Sequence, residues 1–321
     1  MGDASHNQNN QRENEKKTQI GKDVMDCAVK DETGLNDFQK LPSSHNISIP
    51  KVGIERFRIP LSYLHADGSV MNHDSEVSMF VSLEGHKTGV NMSRFPAILQ
   101  EEATKAPISY DFIESLLTRY RTDLRDFEDE ALIPTSYLDL HFKYPLKQPS
   151  LKSDNWGWQY YNVIINASQN KDGVTDFLLT LDYEYSSTCP CSLSMAKQYE
   201  EDFRLGKTTE GNGIATAHSQ RSNARVQVKF TKEKAITIEG LVELLRRAIP
   251  TETQSLVKRL DEQAFAILNG ENPIFVEHVA RHLSETLDAK EEILDWNAYI
   301  QHWESLHSHN AVAYIQKVKP L

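Results

Sequence analysis

The order of the predicted secondary-structure elements is the feature that most constrains the fold of this chain. Residues 77–83 alternate apolar and polar side chains as a half-buried strand does, and residues 108–122 carry apolar side chains at helical spacing. Strands stand before and after such helical segments in both halves of the sequence, which predicts an α+β fold of two similar lobes. Further strands are predicted at 49–61, 137–142, 160–167, 175–185, 223–230, 296–302 and 311–318, and further helices at 238–249 and 272–287.

The N-terminal part of the chain differs in composition from the rest. Residues 1–45 are rich in Asn, Gln, Asp, Glu and Lys and have few aliphatic side chains, so they cannot bury enough apolar surface to offset their ordering entropy. We therefore predict a disordered polar tail over residues 1–45. A first lobe is predicted over residues 46–170, and a second lobe, which carries most of the candidate site residues, over 171–321.

Charge and cysteine content exclude several classes of protein. The net charge of −11 argues against a general basic face for long nucleic acids, although a local cluster of Arg and Lys can still bind one anionic nucleotide. No stretch approaches the roughly 20 apolar residues that cross a bilayer, and no secretory signal is apparent. Three cysteines do not make a disulfide framework, so we expect a reducing, cytoplasmic location.

Two cysteines lie in a short motif directly after an alternating strand. Cys189 and Cys191 flank Pro190, which disfavours a helical conformation at Cys189 and is expected to keep the segment extended. In an extended segment the two sulfur atoms point in opposite directions. A cysteine at such a strand end is a candidate nucleophile or metal ligand, while both residues are also compatible with small buried hydrophobic positions.

A second motif precedes the next predicted strand. His218 offers an imidazole that can bind a metal or transfer protons near neutral pH, and Arg221 offers a fixed cation for a phosphate. A single histidine in a loop is more often an ordinary surface residue.

Three further candidates lie between residues 304 and 309. Glu304 and His307 share a face if this segment is helical, whereas His307 and His309 share a face if it is extended. Either geometry offers two ligands for a divalent transition metal, and a solvated chain segment is the alternative.

Two carboxylates complete the set of candidates. Glu262 lies in a run of charged residues that by itself indicates a solvated face. Glu277 lies in the first turn of a helix predicted to begin at Asn272 and Pro273, where the helix dipole favours an acidic residue.

Taken together, these motifs resemble type IB GTP cyclohydrolases, in which they occur in the same order. The resemblance extends from about residue 47 to the C-terminus. It is carried by Cys189-Pro190-Cys191-Ser192, His218-Ser219-Gln220-Arg221-Ser222, Asp261-Glu262, Asn272-Pro273-Ile274-Phe275-Val276-Glu277 and Glu304-Ser305-Leu306-His307-Ser308-His309, with Val52-Gly53-Ile54, Arg58-Ile59-Pro60-Leu61 and Asn91-Met92-Ser93-Arg94-Phe95 in the first lobe.

The resemblance implies a fold, an assembly and a reaction. The expected fold is tandem tunnelling-fold (T-fold) lobes, each an antiparallel four-stranded sheet with two helices on one face. The expected assembly is a homotetramer with active sites between subunits. The implied reaction converts GTP and water into 7,8-dihydroneopterin 3'-triphosphate and formate, the first step of tetrahydrofolate and pterin biosynthesis.

The resemblance also implies roles for individual residues. One divalent metal, Zn, Mn or Fe, is expected at each site, with ligands drawn from Cys189, His218, Glu262, Glu304 and His307. Cys189 and His218 are the expected catalytic residues, with His218 either at the metal or transferring protons. Cys191 is expected near the substrate, Glu277 as the anchor of the guanine base, and Arg221 at the triphosphate, with Arg94 or Lys87 of a neighbouring subunit as further cations.

Two alternatives remain beside this interpretation. One is an NADPH-dependent nitrile reductase of queuosine synthesis, a T-fold enzyme whose cysteine attacks the substrate and which needs no catalytic metal. The set of His218, Glu304 and His307 argues against it. The other is a non-catalytic metal-binding or nucleotide-binding protein, but structural zinc sites are usually closed by Cys and His, and glutamate ligands favour an open site.

Overall fold

The strands form one continuous antiparallel sheet in chain order, β1 to β8. The computed structural model describes residues 29–31, 33–43, 45–65, 67–125 and 131–318. Strands β1 to β4 make up the first lobe and β5 to β8 the second, and pairing of β4 with β5 joins the two lobes edge to edge. The strands are β1 (Ile49–Leu64), β2 (Val70–Leu83), β3 (Ser136–Pro149), β4 (Trp156–Gln169), β5 (Thr175–Thr188), β6 (Ser219–Phe230), β7 (Asp295–His302) and β8 (Ala311–Gln316).

The helices lie between the strands of each lobe. In the first lobe α1 (Arg94–Ala103) and α2 (Tyr110–Asp123) connect β2 to β3. In the second lobe α3 (Pro190–Arg204) connects β5 to β6, and α4 (Ile238–Ala248), α5 (Arg259–Glu271) and α6 (Val276–Asp288) connect β6 to β7. The predicted α+β fold with four antiparallel strands per lobe is confirmed, and the described part of the second lobe has two more helices than the first. None of the helices in the described ranges is long and apolar enough to cross a membrane.

One face of the sheet is buried under helices and the other is polar. On β5, Phe177, Leu179, Leu181 and Tyr183 are fully buried, because every second side chain of a strand points to the same face. Each such side chain contributes about 1.5–3 kcal/mol of burial free energy. On the opposite face the pair of Asp182 and Arg225 lies at 2.7 Å. The helix-covered face is therefore the core, and the polar face lies away from it.

The antiparallel order places alternate connections at the same edge of the sheet. We call this the upper edge; it is formed by the connections β1–β2, β3–β4, β5–β6 and β7–β8, which are residues 65–69, 150–155, 189–218 and 303–310. All the candidate residues of the second lobe except Glu262 and Glu277 lie in or beside these connections, and those two are in helices that approach the same edge.

The predicted N-terminal tail is described only in part. Residues 1–28 lie outside the described residues. Gln39 and Pro42 contact the first lobe: the side-chain amide of Gln39 donates to the carbonyl oxygen of Val90 at 3.0 Å, and Pro42 forms a β-bridge with Lys87. The predicted lobe boundaries at residues 46 and 171 remain predictions, and the second of them falls in the turn between β4 and β5.

Candidate active site

Cys189 lies where the last strand residue of β5 meets α3. It is the N-cap of α3 with an extended backbone (φ −65°, ψ 120°), and its N–H donates a 3.2 Å hydrogen bond to the carbonyl oxygen of His218. The prediction that Pro190 keeps the following segment extended is wrong, because proline is favoured as the first residue of a helix and α3 begins there. Cys189 is therefore half-buried at the strand end, while Cys191 is exposed in the first helical turn.

The imidazole of His218 lies beside two acceptor groups. Its Nδ1 atom is 3.1 Å from the amide oxygen Oε1 of Gln220 and 3.6 Å from the carboxylate oxygen Oε2 of Glu304. The side chains of His218 and Glu304 are 18% and 12% exposed, so their interaction is little screened by solvent. The structure thus brings together three predicted site residues: His218 and Glu304 through their side chains, and Cys189 through its backbone.

The segment before α6 runs against the end of β5. The N–H of Ile274 donates to the carbonyl oxygen of Thr188 at 2.9 Å. The prediction that a helix begins at Asn272 is wrong: Asn272 is the C-cap of α5, and α6 begins only at Val276, because the intervening residues pair with the strand. This pairing still carries Glu277, which is exposed in the first turn of α6, to the upper edge.

Sequence analysis did not identify His302, which is buried next to this segment. His302 is 3% exposed, and its Nε2 atom is 2.9 Å from the hydroxyl of Tyr185. Burial lowers the pKa of His302 to about 4, and the charge of Glu277 opposes that shift. The signal was present in the sequence, because His302 continues the alternation of the buried residues Trp296 and Ile300 on β7.

Glu262 is exposed in the first turn of α5 and is not part of the contact between His218 and Glu304. Its neighbour Asp261 is fully buried and accepts hydrogen bonds of 2.8 Å from the backbone N–H groups of Lys152 and Ser153. These hydrogen bonds, together with that from the Ser153 hydroxyl, lower the pKa of Asp261. They attach the start of α5 to the connection between β3 and β4.

The connection between β7 and β8 turns Glu304 and the two histidines in different directions. Glu304 faces His218, whereas the rings of His307 and His309 stack on each other with centroids 4.9 Å apart and an interplanar angle of 11°. Both histidines are exposed. The segment is neither helical nor extended but a series of bends, in which the rings of His307 and His309 nevertheless lie together.

The predicted phosphate-binding cations lie apart from the imidazole. Gln220 and Ser222 point to the helix-covered face of β6, so Arg221 between them points to the polar face, where its Nη1 atom is 3.6 Å from Glu184. Lys87 and Arg94 follow β2 at the lower edge. Because β2 has 14 residues and a strand rises about 3.3 Å per residue, this edge is roughly 45 Å from the upper edge.

The donor atoms at the upper edge suit a divalent transition metal, but a single chain does not assemble a complete site. A thiol, an imidazole and a carboxylate are offered by Cys189, His218 and Glu304, a mixed ligand set that binds Zn and also admits Mn or Fe. Among the described residues, however, no three His, Cys, Asp or Glu side chains lie close enough to hold a metal ion. The donor atoms of Cys189, His218 and Glu304 therefore fit a divalent metal. Glu262 and His307 do not lie beside them in this arrangement.

Two polar residues that support His218 were not identified from the sequence. Gln220 contacts its ring, and the hydroxyl of Ser192 accepts a 3.2 Å hydrogen bond from its backbone N–H. Gln220 had a detectable signal, since it lies two residues after His218 on a strand and so shares its face. Ser192 had none, because its contact joins residues 26 positions apart in the sequence.

The sequence of the chain is similar to that of proteins of known family. Residues 35–313 match the family model described as type I GTP cyclohydrolase folE2. The chain is 40% identical over 283 residues to the GTP cyclohydrolase FolE2 of Cereibacter sphaeroides, covering 87% of this chain and 74% of that protein. It is 41% identical over 283 residues to the GTP cyclohydrolase FolE2 of Jannaschia sp., with 87% and 73% covered.

Among solved structures, the chain is similar to a uricase from Arthrobacter globiformis, with a TM-score of 0.46 and 8% identity over 83% of this chain and 92% of that one. A uricase from Bacillus fastidious has the same TM-score, with 9% identity over 86% and 94%. The family match, together with the sequence identities to the two cyclohydrolases, confirms the resemblance at the level of type I GTP cyclohydrolases. The chain belongs to the FolE2 family of type I GTP cyclohydrolases.

Proposed function

We propose that this protein is a GTP cyclohydrolase that converts GTP and water into 7,8-dihydroneopterin 3'-triphosphate and formate, in the biosynthesis of tetrahydrofolate and other pterins. The observation that carries the proposal is the meeting of Cys189, His218, Glu304 and the start of α6 at one edge of the sheet. This edge is supplied by four separate sequence motifs. The family match and the 40% identity to named cyclohydrolases support the same reaction rather than a nitrile reductase or a binding protein.

The guanine base needs a fixed position while its imidazole ring is opened. We assign this role to Glu277, whose carboxylate can accept the N1–H and the 2-amino group of guanine in a bidentate pair. Its exposure in the first turn of α6 leaves both oxygens available to a ligand. Holding the base still converts the attack of water on C8 into a step between prepositioned groups.

Opening of the ring also needs a proton at N7. We assign this transfer to His218, because an imidazole exchanges protons near neutral pH and this one lies next to Cys189 at the strand ends. Addition of one water to C8 opens the ring to a formamide, and a second water releases formate. The ribose then opens, and the freed amine condenses with its carbonyl, with loss of one water, to close the pterin ring. The balance of atoms requires only GTP and water.

A divalent metal, when bound, lowers the pKa of water toward neutrality and so supplies hydroxide for the attack on C8. We propose Cys189, His218 and Glu304 as the residues that hold it, with Glu262 and His307 as further ligands, and Zn, Mn or Fe as the ion. The mixed donor set supports this proposal. A thiol ligand also suits the reducing cytoplasm in which we place the reaction.

We further propose that the active form is a homotetramer with sites between subunits. The helices α3 and α5 support this, because within the described residues each buries a single side chain, Ala196 and Asp261 respectively. The incomplete ligand set of one chain points the same way. The triphosphate is then bound by Arg221 of one subunit and by Arg94 or Lys87 of another, with Cys191 near the substrate.

The proposed function is tested with the purified full chain. It is freed of metal with a chelator, supplied separately with Mn²⁺ or Zn²⁺ and incubated with GTP. The products are then oxidised and analysed for neopterin fluorescence and formate. Equal amounts of both products in the presence of metal, and neither without it, are expected. Absence of both products with every metal would show that the chain is not a cyclohydrolase.

A further inference from the structure

Gln220 lies behind His218 in a chain of buried polar groups that the proposed chemistry does not use. The amide oxygen of Gln220 is 3.1 Å from Nδ1 of His218, and its amide nitrogen donates to the hydroxyl of Ser187 at 2.8 Å. That hydroxyl is in turn 2.8 Å from the hydroxyl of Ser222. Gln220 is 8% exposed, and both serines are fully buried.

The Gln220 amide is oriented with its oxygen toward the histidine. The amide nitrogen donates to the hydroxyl of Ser187 and the oxygen faces the ring, and an amide oxygen can only accept a hydrogen bond. The carboxylate oxygen of Glu304 is 3.6 Å from the same nitrogen, beyond hydrogen-bond distance. The amide oxygen of Gln220, at 3.1 Å, is the acceptor that favours a proton on Nδ1.

We propose that Gln220 is a positioning residue that holds His218 in the tautomer with the proton on Nδ1, so that Nε2 presents its lone pair to a metal or to the reacting groups. In the second case Nε2 first accepts a proton from the attacking water and then passes it to N7 of guanine. The proposal rests on the proposed function for its kinetic consequence but not for the tautomer itself. The nitrogen of a histidine that binds or reacts is set by the hydrogen bond made by the other nitrogen. A buried neutral amide does this without adding a charge to the core.

The tautomer is measured directly on metal-free protein. The chain is labelled with ¹³C,¹⁵N-histidine, and the His218 signals are assigned by their loss in His218→Asn. Solid-state NMR then distinguishes protonation at Nδ1 from protonation at Nε2. Wild type is expected to carry the proton on Nδ1. Gln220→Met, which has nearly the same shape but no strong acceptor, is expected to show a substantial Nε2–H population.

Gln220→Glu is the rescue variant. Its carboxylate still accepts from Nδ1, and the hydroxyl of Ser187 can rotate to donate to it. We expect the wild-type tautomer in this variant. In the assay with GTP and Mn²⁺, kcat of Gln220→Met should fall about 10–100-fold with KM changed less than about 3-fold, whereas Gln220→Glu should keep kcat within about 5-fold.

Gln169→Met is the matched control. Gln169 is also a buried strand glutamine, 2% exposed, but it bonds Thr118 and Arg121 in the first lobe. It tests whether loss of any buried amide disturbs the enzyme, and we expect an unchanged His218 tautomer and unchanged kcat.

Several results would overturn the proposal. A wild-type tautomer in Gln220→Met is one, and an Nε2–H proton on His218 in wild type is another. Equal loss of kcat in Gln220→Glu and Gln220→Met is a third. If Gln220→Met does not fold, the tautomer of Gln220→Glu decides. An inactive wild type would refute the cyclohydrolase function, while the NMR result would still decide the role of Gln220.

Discussion

The two lobes begin their last helix in the same way and then use it differently. In the first lobe the N–H of Ile108 donates to the carbonyl oxygen of Ser62 on β1, and in the second the N–H of Ile274 donates to that of Thr188 on β5. Three residues later come Asp111 and Glu277, each an acidic residue in the first helical turn. This matching contact supports the internal duplication that the order of elements predicts.

The connections between the first two strands of each lobe differ far more. In the first lobe a short turn closes at His65, whose Nε2 atom is 3.1 Å from that of His73. Both rings are buried, and His65 stacks on Tyr144 at 4.4 Å. In the second lobe the corresponding connection contains α3 and leaves Cys189 and His218 partly exposed.

The difference indicates how one edge of a repeated scaffold becomes a candidate active site. In the first lobe His65 and His73 at the upper edge contact each other, and α2 buries six of its residues. In the second lobe α3 and α5 each bury one described side chain, and Cys189 and His218 remain partly exposed. We therefore expect the same framework to provide stability in one lobe and chemistry in the other.

Among the variants that test this contrast between the lobes, Cys189→Ala is expected to have the largest effect on the rate. Pterin formation should fall more than about 1000-fold, because the thiol is proposed to hold an ion that supplies several kcal/mol of transition-state stabilisation. The rate is measured with saturating GTP and Mn²⁺, and near-UV circular dichroism reports folding.

Ser194→Ala serves as the control for this variant, because Ser194 is exposed on the same helix, and it should keep the wild-type rate. Near-normal turnover by a folded Cys189→Ala protein would remove the cysteine from the site and with it the main contrast between the two upper edges.

The sequence predicts the sheet well and the site only in part, for physical reasons. Alternation identifies strands such as β5 and β7 because one face of the sheet is buried, and proximity of Cys189 and His218 follows from adjacent strand ends. The helix α3 is not predicted from the sequence, and the predicted start of α6 is wrong. Proline is compatible both with an extended segment, as at Pro273, and with the first helical turn, as at Pro190, and only tertiary pairing decides between them.

The remaining site residues depend on contacts that no local pattern contains. Glu304 meets His218 through the pairing of β6 with β7, and His302 is identified only by the face it occupies. Three predicted site residues are exposed in one chain, so the groups that they contact depend on the molecule that covers them: Glu262, His307 and Arg94. The residue type suggests that these side chains are ligands, but tertiary and quaternary structure determine whether they come together.

A smaller effect is expected for Glu277→Ala, and the first lobe provides its matched control. Loss of a bidentate, charge-assisted contact with guanine should lower kcat/KM about 30–100-fold, which corresponds to about 2–3 kcal/mol. Asp111 is the counterpart of Glu277, but its carboxylate pairs with Lys232 at 2.6 Å and has a structural role.

The initial-rate kinetics of both alanine variants are measured with GTP. Asp111→Ala should leave kcat/KM within about 2-fold, since exposed ion pairs contribute little to stability. If the two variants lost activity to the same extent, the helix starts would not differ in function, and Glu277 would lose its assignment as the guanine anchor.

The smallest effect concerns the histidine pair of the first lobe and appears in stability rather than in turnover. Burial lowers the pKa of both His65 and His73. At His73 the charge of His65 lowers the pKa further, whereas at His65 the charges of Glu239 and Asp67 oppose the lowering. Below about pH 6.5 the unfolded chain therefore binds more protons at these residues than the folded chain, so stability decreases as the pH falls.

His73→Gln removes one of these titrating groups and offers an amide that can still bond His65. Its Tm should decrease less than that of wild type between pH 7.5 and pH 5, while pterin formation at pH 7.5 stays within about 2-fold. The difference between the two Tm profiles isolates this pair from the other histidines, which titrate in both proteins. Parallel profiles of Tm against pH would show that the histidine pair does not contribute to the pH dependence of stability. A large loss of turnover would show that the upper edge of the first lobe contributes to the reaction. The assignment of stability to the first lobe and chemistry to the second would then be wrong.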